Sequence, residues 1–281
     1  MDKPNKDAGT PGARPQWAPP EVDLNRPSTA RIYDFMLGGS HNTAADRQMA
    51  RQLLAGDPRI GPTAHANRAF LRRAVEFLAG CGVRQFLDLG SGIPTLGNVH
   101  EVARQNAPDA KVVYVDHDPV AAAHSRAIVG DDDSVVVLQT DLLRPASIIE
   151  DPQVRDLLDF TRPVAILLVA VLHFIPDEAG PADVIATLRD AVPSGSYLVI
   201  SQASWPAEEE ISALARETLA RYRATTTAVA LRSAEQIMAF FAGFDLVEPG
   251  VVHVAAWRPD PETADDPSHM MPVYAGVGIK P

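Results

Sequence analysis

Phe86-Leu87-Asp88-Leu89-Gly90-Ser91-Gly92-Ile93-Pro94 decides the fold, read together with Val112-Val113-Tyr114-Val115-Asp116, whose acid lies 28 residues beyond Asp88. Each stretch is an apolar run that stops at an acid, and the glycines permit a tight turn with close backbone approach to a ligand. The pattern places a nucleoside pocket at the carboxyl edge of a parallel sheet. A dinucleotide fingerprint needs Gly-x-Gly-x-x-Gly, so that a pyrophosphate meets a bare helix N-terminus, but Thr95 stands where the third glycine would be. Pro94 is compatible with a helix starting nearby, because proline in the first turn forfeits only an N–H that has no partner there.

A chain of 281 residues, 46% hydrophobic, has enough apolar content for a sizeable core, and one decorated α/β domain is preferred to two small ones. No apolar run is long enough to span a bilayer, and the start, Met1-Asp2-Lys3-Pro4, lacks a signal peptide's hydrophobic core. A cytoplasmic location is therefore expected. Cys81 is the single cysteine, which excludes an intrachain disulfide and a cysteine-rich metal site, and no His/Asp/Glu spacing resembles a metal centre. The formal charge of −11 opposes broad contact with nucleic acid or an anionic membrane, so small molecules are the expected partners. Ser201-Gln202-Ala203-Ser204 lacks the Gly-x-Ser-x-Gly elbow of a serine hydrolase.

The first 24 residues, rich in Pro, Gly and charge, read as a disordered tail, and residues 25–281 as a single domain. Ser28 offers an N-cap for a helix over Thr29 to Leu37, ended by Gly38-Gly39; Thr43 with Asp46 resembles a capping box for a helix to about Leu54. Ala66 to Ala79 carries an apolar stripe opposite arginines. Strand and helix signals then alternate: Gln85–Leu89, Thr95–Asn106, Lys111–Asp116, Pro119–Val129, Ser134–Thr140, and a helix near Ala146–Leu158. Such alternation predicts right-handed crossovers and a parallel sheet. The unbroken apolar run Val164 to Leu172 predicts a central strand buried on both faces, leaving at His173-Phe174-Ile175-Pro176. A helix over about Ala182–Ala191, a strand at Tyr197–Ser201, an inserted helix at about 207–222, a helix at Ser233–Phe241 and β-rich pieces at Asp245–Ala256 and Val273–Ile279 complete the order.

With these elements placed, the chain resembles the actinobacterial S-adenosyl methyltransferase family, long catalogued as a domain of unknown function. The resemblance is carried by residues 27–39 (Pro-Ser-Thr-Ala-Arg-Ile-Tyr-Asp-Phe-Met-Leu-Gly-Gly), residues 67–75, residues 85–95, Leu172-His173-Phe174-Ile175-Pro176-Asp177 and Trp257-Arg258-Pro259-Asp260. It implies a Rossmann-like methyltransferase fold: a mostly parallel seven-stranded sheet with an antiparallel last strand, helices on both faces and an N-terminal helical lid over residues 25–65. It further implies S-adenosyl-L-methionine as donor, S-adenosyl-L-homocysteine as product and a small-molecule acceptor.

Asp116, at the end of the second strand, suits a charge-assisted pair of hydrogen bonds from ribose hydroxyls. Asp88, Gly90, Ser91 and Gly92 form the loop, and Asp88 either orients its amides or reaches the donor's amino group through water. The resemblance implies that Asp141 accepts from the adenine amino group, and the neighbours His117 and Leu142 complete that side. It also puts Tyr33, Gly38, Gly39 and Asn42 in a lid that excludes water. Arg31, Asp34, Asp46 and Arg68 are expected to form a buried polar network. His173, at the central strand's exit, is the candidate catalytic base, and the inserted helix around Ile211, Leu214 and Leu219 is the candidate specificity wall. The competing readings are a nicotinamide-dependent oxidoreductase, against which Thr95 and the missing Tyr-x-x-x-Lys pair count, and a donor-binding protein without catalysis.

Overall fold

A computed structural model describes residue 20 and residues 23–94, 97–204, 229–260 and 267–281. The inserted helix, Thr95 and most of the amino-terminal tail lie outside the described residues. Strands β1 (Gln85–Leu89), β2 (Lys111–Asp116), β3 (Val135–Gln139), β4 (Ala165–Val169) and β5 (Tyr197–Ala203) pair in parallel in the order β3-β2-β1-β4-β5. β8 (Val273–Ile279) joins β5 antiparallel, and its outer edge carries two short strands, β6 (Asp245–Leu246) and β7 (Val252–His253). The expected seven strands thus become eight, because the last outer strand is interrupted at Glu248-Pro249-Gly250. Chain order reverses between β1 and β4, which opens a crevice at their carboxyl ends.

Side chains alternate across the strands, and each face has its own core. Leu87, Leu89, Val113, Val115, Ile166, Leu168, Leu198 and Ile200 pack beneath α6 (Pro145–Glu150), α7 (Pro152–Leu157), α8 (Pro181–Asp190) and α9 (Ala234–Ala239). Phe86, Val112, Tyr114, Leu167 and Val199 pack with α3 (Ile60–Gly80) and α4 (Val99–Asn106) on the other face. By the same alternation Asp88 and Asp116 point to the α3 face.

Several boundaries differ from the sequence reading for local reasons. α3 starts at Ile60 rather than Ala66, because Gly61 and Pro62 fall within its first turn, where proline is tolerated. The single helix expected near residues 146–158 is two, divided where Asp151 caps α7 and Pro152 begins it. β4 stops at Val169, three residues short of the apolar run, since Ala170 adopts φ +55° and a 3₁₀ turn, Leu172–Phe174, follows.

Helix α1 (Thr29–Met36) lies at the carboxyl edge, where Ala30 packs against Ile93 and Val120, and α2 (Ala44–Gly56) packs on α1 and α3. The Thr43–Asp46 capping box forms as expected. Asp46, fully buried, also accepts from the Ser28 N–H (2.9 Å) and from Arg31 Nε (2.7 Å), while Thr43 donates its N–H and hydroxyl to Oδ2 (2.7 Å each). Removing one member of a buried ion pair strands the other charge, at about 3–5 kcal/mol. Asp46→Ala is therefore expected to loosen α1 and α2 while the sheet stays intact, read by hydrogen exchange as faster exchange over residues 29–56. An equal rise in β1, β2 and β4 would refute a separately opening helix pair.

Candidate functional site

A cavity of about 590 Å³ lies over the β1–β4 crevice, within the range of roughly 300–1,000 Å³ typical of small-molecule sites. Its floor is the glycine loop. Gly90 (φ +74°) and Ser91 both donate N–H groups to Val115 O, at 2.8 and 3.2 Å, which fastens the loop to the end of β2. A Cβ on Gly90 would stand 2.3 Å from Val171, so only glycine fits; on Gly92 (φ +65°) it would meet nothing within 4 Å. The backbone at Gly92 is thus open to the cavity it lines.

Asp116 holds this floor together. Its Oδ2 accepts from Gly92 N–H (2.8 Å) and its Oδ1 from Asp118 N–H (2.8 Å), leaving further lone pairs for a ligand. Asp118 in turn caps α5 (Pro119–Val129) through Val120 N–H (2.7 Å) and accepts from the hydroxyl of Ser28, the residue before α1. Burial pushes the Asp116 carboxyl up, opposed by the two backbone donors. Burial likewise pushes Asp88 up to about 7; the nearby Arg68 guanidinium opposes the shift and Asp116 adds to it. Two acids whose charged forms lack solvation face one cavity. A cationic ligand would supply what burial removes.

A hydrogen-bonded relay joins α1 to the exit of β4. Tyr33 on α1 donates to Ala64 O (3.0 Å) and accepts from Asn67 Nδ2 (3.0 Å); Ser201 Oγ donates to Asn67 Oδ1 (2.6 Å) and accepts from Ala170 N–H (2.9 Å). Left-handed backbone in a non-glycine residue is strained, and Ser201 holds it through both Oγ and its carbonyl. Burial raises the Tyr33 phenol, so it stays protonated and able to donate.

His173 lines the cavity from the 3₁₀ turn. Burial first, then the Arg232 cation, pushes its pKa down to about 3. The ring is therefore neutral, with Ala203 N–H 3.5 Å from Nδ1. Arg232 itself is buried and binds Leu172 O (2.9 Å), Ile175 O (2.8 Å) and Asp177 (2.7 Å), which fixes the whole turn.

The structure brings Tyr33, Asp88, Gly90, Ser91, Gly92, Asp116, His117 and His173 to one cavity. Gly38, Gly39, Asn42, Asp141 and Leu142 are not among its lining residues. Gly38 (φ +79°) ends α1, and Asn42 ties Asp34 (2.8 Å) to Gly39 O (2.9 Å). Asp141 closes a turn on Leu143 N–H (2.9 Å), and Leu142 is buried in the core. The expected polar network is really separate pieces: Arg31 pairs with Asp46, Asp34 with Asn42, and Arg68 faces Asp88 and the Tyr33 ring. Asn67 and Ser201, absent from the sequence candidates, are the joints of the relay. Their signal was only positional: Asn67 precedes Arg68 on α3, and Ser201 follows the apolar core of β5.

Residues 15–281 match the model of a family described as S-adenosyl methyltransferase. The chain belongs to that family. A protein of Thermobifida fusca YX, provisionally described as a methyltransferase, is 39% identical with a TM-score of 0.86, covering 95% of this chain and 99% of that one. A DUF574 family protein of Streptomyces avermitilis MA-4680 is 38% identical with a TM-score of 0.85, covering 92% and 99%. An O-methyltransferase family protein of Burkholderia thailandensis, 16% identical and covering 83% of this chain and 62% of that one at a TM-score of 0.51, shares the fold. No curated protein matches. None of these findings favours an oxidoreductase. Among the described residues, no helix is long and apolar enough to cross a membrane, and no His/Cys/Asp/Glu group is placed to hold a metal.

Gly90→Ala is expected to destabilise this methyltransferase fold by about 1–3 kcal/mol through overpacking and left-handed strain. Val171→Ala in the same chain should recover part of that loss by removing the nearer contact, that with Cγ2, while its own Cβ stays 2.8 Å away. Thermal melting of the single and double variants checks it; strict additivity would show that the close approach is not what requires glycine.

Proposed function

We propose that this protein transfers a methyl group from S-adenosyl-L-methionine to a small-molecule acceptor, releasing S-adenosyl-L-homocysteine. The observation that carries the reading is the pair of buried, upward-shifted acids, Asp88 and Asp116, on one glycine-floored cavity at the switch point of the sheet. The residues present fit the donor's groups. Asp116 offers its remaining lone pairs to the ribose hydroxyls, and Asp88 stands by the glycine loop, placed for the donor's cationic amino end. Arg68, on the facing helix, suits the donor carboxylate. Gly90, Ser91 and Gly92 supply close backbone approach, and His117 borders the mouth.

When bound, the donor supplies an activated methyl: the carbon–sulfur bond breaks with its pair returning to sulfur as an acceptor lone pair bonds the carbon. The chain's own contribution is alignment and exclusion of water. Tyr33 closes one wall, while Gly38, Gly39 and Asn42 shape the lid that carries it. His173 offers its ring N–H to orient the acceptor, and the acceptor's proton leaves to water. Asp141 and Leu142 border the β3 exit, outside the cavity lining. The protein carries out this transfer in the cytoplasm.

Calorimetric titration with S-adenosylhomocysteine, with NAD as the matched control, tests the donor assignment; saturable binding of the first alone is expected. Asp116→Asn, which keeps the side chain's shape, should weaken binding by about 1.5–3 kcal/mol, the scale of hydrogen bonds to a charged group. Unchanged affinity would remove Asp116 from the ribose.

Asp88 also predicts a pH dependence. In the free protein its pKa is about 7, and a bound cation lowers it, so binding releases a proton below pH 7. Affinity for S-adenosylmethionine should rise about tenfold from pH 5.5 to 7.5 and level off above, and Asp88→Asn should flatten the profile. A wild-type affinity that does not change with pH would contradict the role given to Asp88.

A further inference from the structure

We propose that the methyl acceptor is an uncharged, largely apolar small molecule, seated at the end of the cavity formed by the exits of β4 and β5 and the start of β8. The inference rests on the methyltransferase reading of the same site and adds the chemistry of its second substrate.

The cavity is divided by charge along the order of the strands. From β2 through β1, β4 and β5 to β8 there are four strand intervals of about 4.8 Å, so the floor is roughly 19 Å across. The acids at the exits of β1 and β2 lie at one end and toward the middle. The charged lining residues of the lid lie over that end too, because Ser28 bonds to Asp118 and Leu24 and Ala30 pack against Ile93 and Val120. Arg68 sits between the halves, facing Asp88.

The opposite end is lined by Phe174, Ala203, Val229, Leu231, Met271 and Val273. Ala203 and Val273 are register partners on β5 and β8, and Ala230 N–H bonds His173 O at 2.8 Å, which draws residues 229–231 over the same end. The Thr63 hydroxyl at this end is already engaged within the protein. Thr63 Oγ1 donates to Arg59 O (2.7 Å) and accepts from Met271 N–H (2.8 Å). His173 is held neutral there by burial and by Arg232, and offers one N–H. Among the described residues no charged side chain lines this end, so an ionised acceptor would lose its hydration there without a partner charge in return. A neutral molecule with an apolar body and one polar group, directed at His173, loses little and buries its surface. Methyl transfer to a neutral hydroxyl or amine forms the new bond from its lone pair and sends one proton to solvent.

The test uses the full chain saturated with S-adenosylhomocysteine, titrated with 1-naphthol and with 1-naphthoate as neutral and anionic probes of similar shape. Saturable one-site binding of 1-naphthol, at least tenfold tighter than 1-naphthoate, is expected. Ala203→Trp should weaken 1-naphthol at least tenfold, and Met271→Lys should reverse the preference toward 1-naphthoate; retained S-adenosylhomocysteine binding shows that each variant is folded. Equal or tighter binding of 1-naphthoate by the wild type, or no binding of either probe to the loaded protein, would overturn the inference. If S-adenosylhomocysteine itself does not bind, the methyltransferase reading fails and this inference falls with it; the order of titration keeps the two failures apart.

Discussion

The Asp116 carboxylate accepts from Gly92 through one oxygen and from Asp118 through the other, and these two bonds set the geometry of almost everything above the sheet. Through Gly92 it holds the loop after β1 in a conformation that leaves backbone facing the cavity. Through Asp118 it orients the cap of α5, and Asp118 passes the constraint to the residue before α1 by accepting from Ser28. A charge-assisted bond is roughly twice as strong as a neutral one, which suits a single side chain that must order three segments. The same carboxylate is raised in pKa by its own burial, so ionising it inside the fold carries an electrostatic strain that the two backbone donors only partly offset.

That strain is the physical link between stability and function. Asp88 is held near pKa 7 in the folded chain against an ordinary value near 4 when exposed. A folded-state pKa above the unfolded one means that the stabilising contribution is full below pH 4 and is lost as pH rises through 7. The ligand-free fold is therefore weakest, in this respect, where the acid is ionised and ready for a cation. The relay through Tyr33, Asn67, Ser201 and Ala170 runs on neutral hydrogen bonds instead, so it holds α1 and the β4 exit in register regardless of that titration.

The sequence made the sheet legible because buried parallel strands are continuous apolar runs, and β1, β2 and the capping box of α2 appear where the pattern puts them. Apolarity alone could not show where β4 ends. Residues 164–172 are uniformly apolar, yet Ala170 leaves the strand because Ser201, distant in sequence, holds its N–H. The electrostatics of His173 could not be read locally for a similar reason: its basicity is lowered by burial and by the Arg232 cation, and Arg232 is 59 residues away. Acids at strand ends were easy to name as candidates, but only folding separates Asp116, which faces the cavity, from Asp141, which closes a turn on its own neighbour.

Trp257-Arg258-Pro259-Asp260 is the part of the family resemblance farthest from any chemistry, and its packing explains why a site would need it. Trp257 is fully buried, edge-on to Phe70 and Phe77, and Arg258 stacks on Phe77 at 4.1 Å. Arg73 donates to Trp257 O and Val254 O, and Arg72 pairs with Asp260. All of these partners are on α3, the helix whose preceding turns carry Thr63, Asn67 and Arg68 to the cavity. Clamping the second half of α3 to the segment before β8 fixes how far its first half reaches over the sheet edge. Arg68 can then face Asp88, and Asn67 can meet both Tyr33 and Ser201, without either contact having to position the helix by itself.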